Sequence, residues 1–139
     1  MRMASWANCI ESGLVTTVSP DRQRAKSLIE TANERINLTD RVNERNCNFV
    51  FEDYYTSLLE IMHAKAILGG YKIKNHICLG YFLRDVLKKD ELYVMFDDVR
   101  YKRNALTYYG NRMEFEVAEQ AIEKCKKLIS SLKSLASDA

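Results

Sequence analysis

Apolar side chains recur at helical spacing along most of the chain. The first segment that shows this pattern, residues 4–15, places Trp6, Ile10 and Leu14 four residues apart. Such spacing puts the three side chains on one face of a helix. Residues 1–19 are therefore predicted to form a short amphipathic helix or a packed N-terminal arm.

The next helix has a start signal at Ser19, Pro20 and Asp21. Serine is a frequent cap, proline fits the first helical position, and an acid is favourable in the first turn. The apolar face that follows is formed by Ala25, Leu28, Ile29, Ala32 and Ile36. We therefore predict a helix from Pro20 to about Leu38.

Two more helical segments follow. Residues 47–68 carry a wide apolar stripe, which predicts a helix that contacts neighbours on two sides. Gly69 and Gly70 are expected to end it as a left-handed C-cap. After a connector over residues 71–75, apolar positions recur through residues 76–87 and predict a further helix.

The C-terminal part of the chain has the clearest patterns. One helix is predicted to begin at Asp90 and to be interrupted at Gly110 and Asn111. Residues 115–135 then keep helical spacing for about five turns. A polar tail over residues 137–139 closes the chain.

Together these segments predict an all-α fold, an antiparallel four-helix up-and-down bundle with a short extra helix. A single domain is expected over residues 1–139, with the arm or short helix in residues 1–19 and the bundle in residues 20–136. The length of 139 residues suits one domain, and five glycines with one proline are too few for the turns of an all-β fold. No stretch approaches the ~18 apolar residues of a membrane span, so no membrane partner is expected.

The net charge and the cysteines indicate which ligands and which state of the thiols to expect. A net charge of +2 is too small to indicate a nucleic-acid partner by itself. Cys9, Cys47, Cys78 and Cys125 include no pair at the spacing of a zinc site, so we expect no metal and no cofactor. Cys47 and Cys125 fall on apolar stripes, where a free thiol behaves as a small hydrophobe. The expectation is four reduced thiols in a cytoplasmic protein.

One stretch, Val99 to Arg112, departs from the charge balance and is called the basic segment below. It holds four cations and no acid. Within it, Arg103 occupies a position on the apolar stripe where a hydrophobe is expected, and a buried charge is unfavourable unless it is paired. Two interpretations stay open. Arg103 binds an anion through its planar guanidinium, or it forms an ion pair inside the bundle with one of Asp97, Asp98, Glu60 and Glu52.

Arg100, Asn104 and Tyr108 lie four residues apart in the basic segment and line up on another face. An arginine, an amide and a phenol in one row can bind a phosphate and a base, and Tyr108 and Tyr109 can stack on a base. The same row is equally typical of a solvated polar face. Because Arg103 and Tyr108 are about 140° apart around a straight helix, a shared site would require a helix kink or a second subunit.

The two histidines do not indicate a catalytic site. His63 stands beside Met62 in a helical segment, which is typical of packing or of a surface role, and His76 follows Asn75 at a helix start, which is typical of capping. The chain has no HExxH, Walker A or GxSxG motif. Acids such as Glu52 and Asp53, or Asp97 and Asp98, are adjacent in sequence, so they point apart on a helix and do not indicate a metal-binding pair.

Several short motifs together resemble a known family. In the second half they are Arg103-Asn104, Leu106, Tyr108-Tyr109-Gly110 and the long closing helix. Upstream they are Glu52-Asp53-Tyr54-Tyr55, Leu58-Leu59-Glu60, Ala64-Lys65-Ala66, Gly70-Tyr71-Lys72 and Asn75-His76. Over residues 20–135 the chain resembles HEPN domains, especially small stand-alone archaeal and bacterial members.

The resemblance implies a four-helix bundle that often forms a homodimer. Many members of the family are ribonucleases or toxins, and they are often paired with a minimal nucleotidyltransferase that acts as antitoxin. Their site is an arginine, usually followed by a polar residue and, a few residues later, by a histidine. Arg103 and Asn104 match the first two positions, whereas Tyr108 stands where the histidine is expected. Imidazole titrates near neutrality and tyrosine near pKa ~10, so the exchange removes the usual base.

Three functional hypotheses follow. In the first, the protein is a HEPN-like module that binds a nucleotide or an RNA phosphate, or acts as a regulator beside a nucleotidyltransferase. Its ligand-binding residues would be Arg100, Arg103, Asn104, Tyr108 and Tyr109. In the second, it is a metal-independent, toxin-like ribonuclease with Arg103 and Tyr108 as catalytic residues. In the third, it is a plain helical protein-interaction module in which Arg103 forms a buried ion pair.

Overall fold

The structure, a computed structural model, describes residues 3–135 and is mostly helical, as predicted. Residue 136 of the expected bundle and the polar tail at 137–139 lie outside the described residues. The elements are α1 Trp6–Glu11, β1 Val15–Thr17, α2 Arg22–Leu38, α3 Cys47–Leu68, β2 Tyr71–Ile73, α4 His76–Tyr81, a π-helical turn Phe82–Val86, α5 Asp90–Tyr109 and α6 Phe115–Ser134.

The longest helices agree with the sequence patterns, but α2 begins two residues later than predicted. Its cap is Asp21, whose side chain accepts a hydrogen bond from the backbone N–H of Arg24 at 2.9 Å. Ser19 and Pro20 therefore lie outside the helix. An aspartate caps a helix as well as a serine does, so the sequence held two equivalent start signals.

A small antiparallel sheet was not predicted. The strands β1 and β2 pair with Val15 opposite Ile73 and Thr17 opposite Tyr71, so part of the expected connector is a strand. Val15 and Ile73 are both buried. The pairing joins segments far apart in the chain, and local periodicity carries no information about such a partner.

The helix predicted over residues 76–87 changes character halfway. It is α-helical only as far as Tyr81 and continues as the π-helical turn. There the backbone N–H of Leu87 donates to the carbonyl of Phe82 at 3.0 Å. Apolar spacing cannot distinguish such a turn from regular helix, because one extra residue per turn leaves most of the buried positions buried.

The helix α3 lies at the centre of the fold. It packs against α2 and α6, contacts α5, and contributes the largest set of buried side chains. The one buried polar side chain in the described residues, Ser57, accepts a hydrogen bond from Arg35 at 3.3 Å. Arg35 also forms a two-point ion pair with Glu60, which fixes α2 on α3.

The expectation of four reduced thiols is wrong. Cys9 of α1 and Cys78 of α4 form a disulfide with a Cα–Cα distance of 6.1 Å, and both are fully buried. They lie 69 residues apart, so their proximity depends on how α1 packs on α4 and cannot be read from spacing. Cys47 and Cys125 are free and buried, as predicted.

Within residues 3–135, no helix combines the length and the apolar character that crossing a membrane requires.

Candidate anion site around Arg103

Arg103 lies half-buried on α5, between helix surface and core, as its position on the apolar stripe predicted. Its guanidinium carbon is 5.8 Å from the ring centroid of Tyr55 on α3 and 6.0 Å from that of Tyr108. Both distances fall in the range of cation–π contact. Two aromatic rings therefore hold the guanidinium, with no carboxylate among these contacts.

The acids proposed as ion-pair partners of Arg103 are bound to other cations. Asp97 accepts from Arg100 at 2.7 Å, and Asp98 accepts from both Lys102 and Lys124 at 2.7 Å. Glu60 pairs with Arg35, and Glu52 forms no ion pair in the described residues. Arg103 itself has no ion pair or hydrogen bond within residues 3–135, so the described residues do not show the ion pair of the second interpretation.

The guanidinium of Arg103 is open to solvent. Among the described residues, every side-chain nitrogen or oxygen that is buried has a hydrogen-bond partner. Since the nitrogens of Arg103 have none in that range, they are not buried. An arginine that is held in place, accessible and without an acidic partner is able to bind an anion with two parallel hydrogen bonds.

Arg103 and Tyr108 meet without a kink. The helix α5 runs unbroken to Tyr109 and ends at Gly110, which adopts φ +66° as a left-handed C-cap. The expectation that a shared site needs a bend or a second subunit is therefore wrong. The angular separation applies to backbone positions, and the long arginine side chain reaches around the helix.

The other candidate residues of the basic segment differ in availability. Arg100 donates from two nitrogens to Asp97, at 3.1 and 2.7 Å, so its charge is already engaged. Asn104 is half-buried, and its amide has no hydrogen bond within the described part of the chain. Tyr108 and Tyr109 are 68% and 77% exposed, which leaves both rings free to stack on a ligand.

The structure adds a pair of residues that the sequence patterns did not indicate. The hydroxyl of Tyr55 forms a hydrogen bond of 3.1 Å with Nδ1 of His76, the first residue of α4. Tyr55 is 1% exposed and stacks on Phe96 with a centroid distance of 6.2 Å. A buried tyrosine needs a partner for its hydroxyl. The one feature of the sequence that indicates such a partner is the position of Tyr55 on the apolar stripe of α3, where its hydroxyl is expected to be buried.

Tyr55 and His76 are both neutral at pH 7. Burial raises the pKa of Tyr55 well above its usual 10, although Arg103 and Arg100 oppose the rise. Burial, followed by the charges of Arg103, His63 and Arg100 in that order, lowers the pKa of His76 to about 4. The imidazole therefore carries no charge in the free protein, because burial disfavours the charged ring and a second cation beside Arg103 is unfavourable.

Arginine and histidine side chains from four helices influence one another in this region. Burial lowers the pKa of His63 on α3, and Arg24 on α2 adds to the effect. His63 in turn acts on His76 of α4, next to Arg103 and Arg100 of α5. No carboxylate contributes to the shift of either histidine. The electrostatic potential here consequently favours an anion.

In residues 3–135, no group of three or more histidine, cysteine, aspartate or glutamate side chains is placed to hold a metal ion. Comparison of the chain with family models, curated proteins and solved structures finds no match.

Proposed function

We propose that this protein is a HEPN-like module that binds a phosphate group of RNA or of a nucleotide at Arg103. The main support for this proposal is the environment of the Arg103 guanidinium. Its guanidinium rests on Tyr55 and Tyr108, reaches solvent and lacks an acidic partner in the described residues. Burying a charge in part is unfavourable, and an anionic ligand offsets that cost.

The surroundings of Arg103 suit a nucleotide rather than a bare anion. Tyr108 exposes its ring beside the guanidinium, and Tyr109, the next residue of α5, exposes a second ring. Bases stack on such rings with little dependence on sequence. Asn104, one residue after Arg103, has an amide that can hydrogen-bond a base. Arg100 is bound to Asp97, and its charge acts on the site through its effect on the pKa of His76.

The resemblance to HEPN domains extends the proposal to architecture and partners. An antiparallel four-helix bundle is supported by the packing of α3 on α2 and α6 and of α6 on α5. A homodimer and a nucleotidyltransferase partner rest on the resemblance alone. Light scattering of the purified protein tests the first of these, since a dimer has twice the mass of the chain.

Replacement of Arg103 by alanine tests the binding site. We expect Arg103→Ala to weaken binding of a labelled single-stranded RNA about tenfold or more, because charge-assisted hydrogen bonds contribute about 1.5–3 kcal/mol. Arg112→Ala is the matched control. It removes one charge from the same segment, but Arg112 is exposed and has no ion pair in residues 3–135. Fluorescence anisotropy at fixed salt should show at most a small loss for the control.

The stability of the same variant separates ligand binding from a structural role. Without an internal ion pair, Arg103→Ala should lower the free energy of unfolding by about 1 kcal/mol, from the lost contacts with Tyr55 and Tyr108. A loss of about 3–5 kcal/mol, with RNA binding unchanged, is the result expected of a buried ion pair. That result would overturn the proposal and favour the plain interaction module. Urea denaturation measures the difference.

A ribonuclease is the second candidate, because Arg103 and Tyr108 come together within one chain. In this case Arg103 would stabilise the charge that develops on the phosphorane, and Tyr108 would transfer a proton. The RNA-binding assay distinguishes the ribonuclease from the binding module when it is run with chelator and the RNA is then examined for cleavage. Cleavage that survives chelator and disappears in both Arg103→Ala and Tyr108→Phe supports the enzyme, and intact RNA supports the binding module.

A further inference from the structure

We propose that His76 and Arg103 hold one phosphate group between them, so that the anion site includes a residue from outside the basic segment. The inference rests on the proposed function and adds a second ligand residue to it. It also adds a property that Arg103 alone does not provide, because a histidine can take up a proton when the anion binds.

The geometry of His76 supports this role. Its Nδ1 is occupied by the hydroxyl of Tyr55 at 3.1 Å, which fixes the orientation of the ring. Its Nε2 has no hydrogen bond within residues 3–135 and, since no buried side-chain nitrogen there lacks a partner, Nε2 reaches solvent. The ring centroid of Tyr55 lies 5.8 Å from the guanidinium carbon of Arg103 and 5.8 Å from the ring centroid of His76. Tyr55 thus positions both groups.

A bound phosphate changes the balance of charge at the imidazole. In the free protein, burial and the charges of Arg103, His63 and Arg100 keep His76 neutral. The other group that faces the imidazole is the Tyr55 hydroxyl, which is neutral as well. A negative charge between His76 and Arg103 opposes these effects and raises the pKa of His76.

The protonated ring then has a partner on each side. Its Nδ1–H donates to the oxygen of Tyr55, and its Nε2–H donates to the phosphate. The hydroxyl oxygen of Tyr55 can accept in this state through its lone pairs. Binding therefore consumes protons, and by linkage affinity increases as the pH falls from about 8 toward about 5.

Calorimetry on the intact protein tests the inference. The probe is a short oligouridylate without terminal phosphates, since neither its phosphodiesters nor its bases take up protons between about pH 5 and 8. Titrations at about pH 6.5 in two buffers of different ionisation enthalpy give the number of protons taken up. We expect a measurable uptake by the wild-type protein and binding several-fold tighter at about pH 5.5 than at about pH 7.5.

Two histidine variants locate the proton. His76→Gln keeps a side-chain N–H donor but cannot titrate, so proton uptake should disappear and affinity should no longer depend on pH. His63→Gln is the matched control. Within residues 3–135, His63 forms no hydrogen bond with Tyr55 or Arg103, whereas His76 bonds to the Tyr55 hydroxyl. The His63 variant should therefore keep most of the uptake. The wild-type measurement needs no substitution, so the test does not depend on how well a variant folds.

The outcomes separate the two proposals. If the probe binds through Arg103 but without proton uptake, or if His76→Gln keeps the pH dependence, the role of His76 is wrong and the proposed function stands. If Arg103→Ala binds the probe as well as wild type does, the proposed function itself fails. Uridine monophosphate, a phosphomonoester with its own proton at pKa ~6, identifies the source of the phosphate. Tighter binding than the oligomer indicates a terminal phosphate, and weaker binding an internal one.

Discussion

Reduction of the Cys9–Cys78 disulfide is expected to lower the free energy of unfolding by about 4 kcal/mol, a large fraction of the stability of a typical domain. The bond closes a loop of 69 residues, and a cross-link over a loop this long removes much conformational entropy from the unfolded chain. Chemical denaturation of the wild-type protein with and without dithiothreitol measures the loss.

The control uses the two remaining cysteines. The double variant Cys9→Ala, Cys78→Ala retains Cys47 and Cys125, which are free. Its unfolding should therefore be insensitive to dithiothreitol. Titration of thiols in denaturant, without reductant, should find two reactive groups in the wild-type protein. Four reactive thiols would show that the bond does not form and would restore the expectation drawn from the sequence.

Truncation of Phe96 is expected to have a similar effect on stability. Its side chain is fully buried and stacks on Tyr55, with an angle of 7° between the rings. Phe96→Ala removes this contact and leaves a cavity, which typically costs about 3–5 kcal/mol. Because Tyr55 supports both Arg103 and His76, the variant should also weaken RNA binding even where it remains folded. Denaturation followed by anisotropy measures both effects.

The matched control is Phe49, which is 62% exposed on α3. Phe49→Ala makes the same chemical change at the surface and should alter stability by about 0.5 kcal/mol or less. A small loss for Phe96→Ala, comparable with that of the control, would contradict the packing described for the centre of the fold.

The local part of the fold could be predicted from the sequence. Apolar spacing located α3 from Cys47 to Leu68 and α5 from Asp90 to Tyr109, and it predicted that Cys47 and Cys125 are buried. These features depend on residues a few positions apart, which helical periodicity records. The disulfide and the β1–β2 pairing depend on segments that meet only after folding. No local pattern contains them.

For the candidate site, too, the sequence predicts the local features and not those that depend on the folded structure. The sequence singled out Arg103, because a charge on an apolar stripe is visible without a structure. It did not show that Asp97 and Asp98 are engaged by Arg100, Lys102 and Lys124. Competition among several cations for a few acids is decided by three-dimensional distances. His76 was interpreted as a capping residue for the same reason, since nothing in its neighbourhood along the chain indicates Tyr55.

The attachment of the N-terminal segment has a consequence for biosynthesis. Residues 3–18 pair with Tyr71–Ile73, bond to Asp85 through the backbone of Trp6, and are cross-linked to Cys78. On the ribosome this segment leaves the exit tunnel long before its partners are translated. It must therefore wait, unpaired, until the chain has been extended beyond the π-helical turn. During that interval α2 and α3, which contact each other closely, can assemble first.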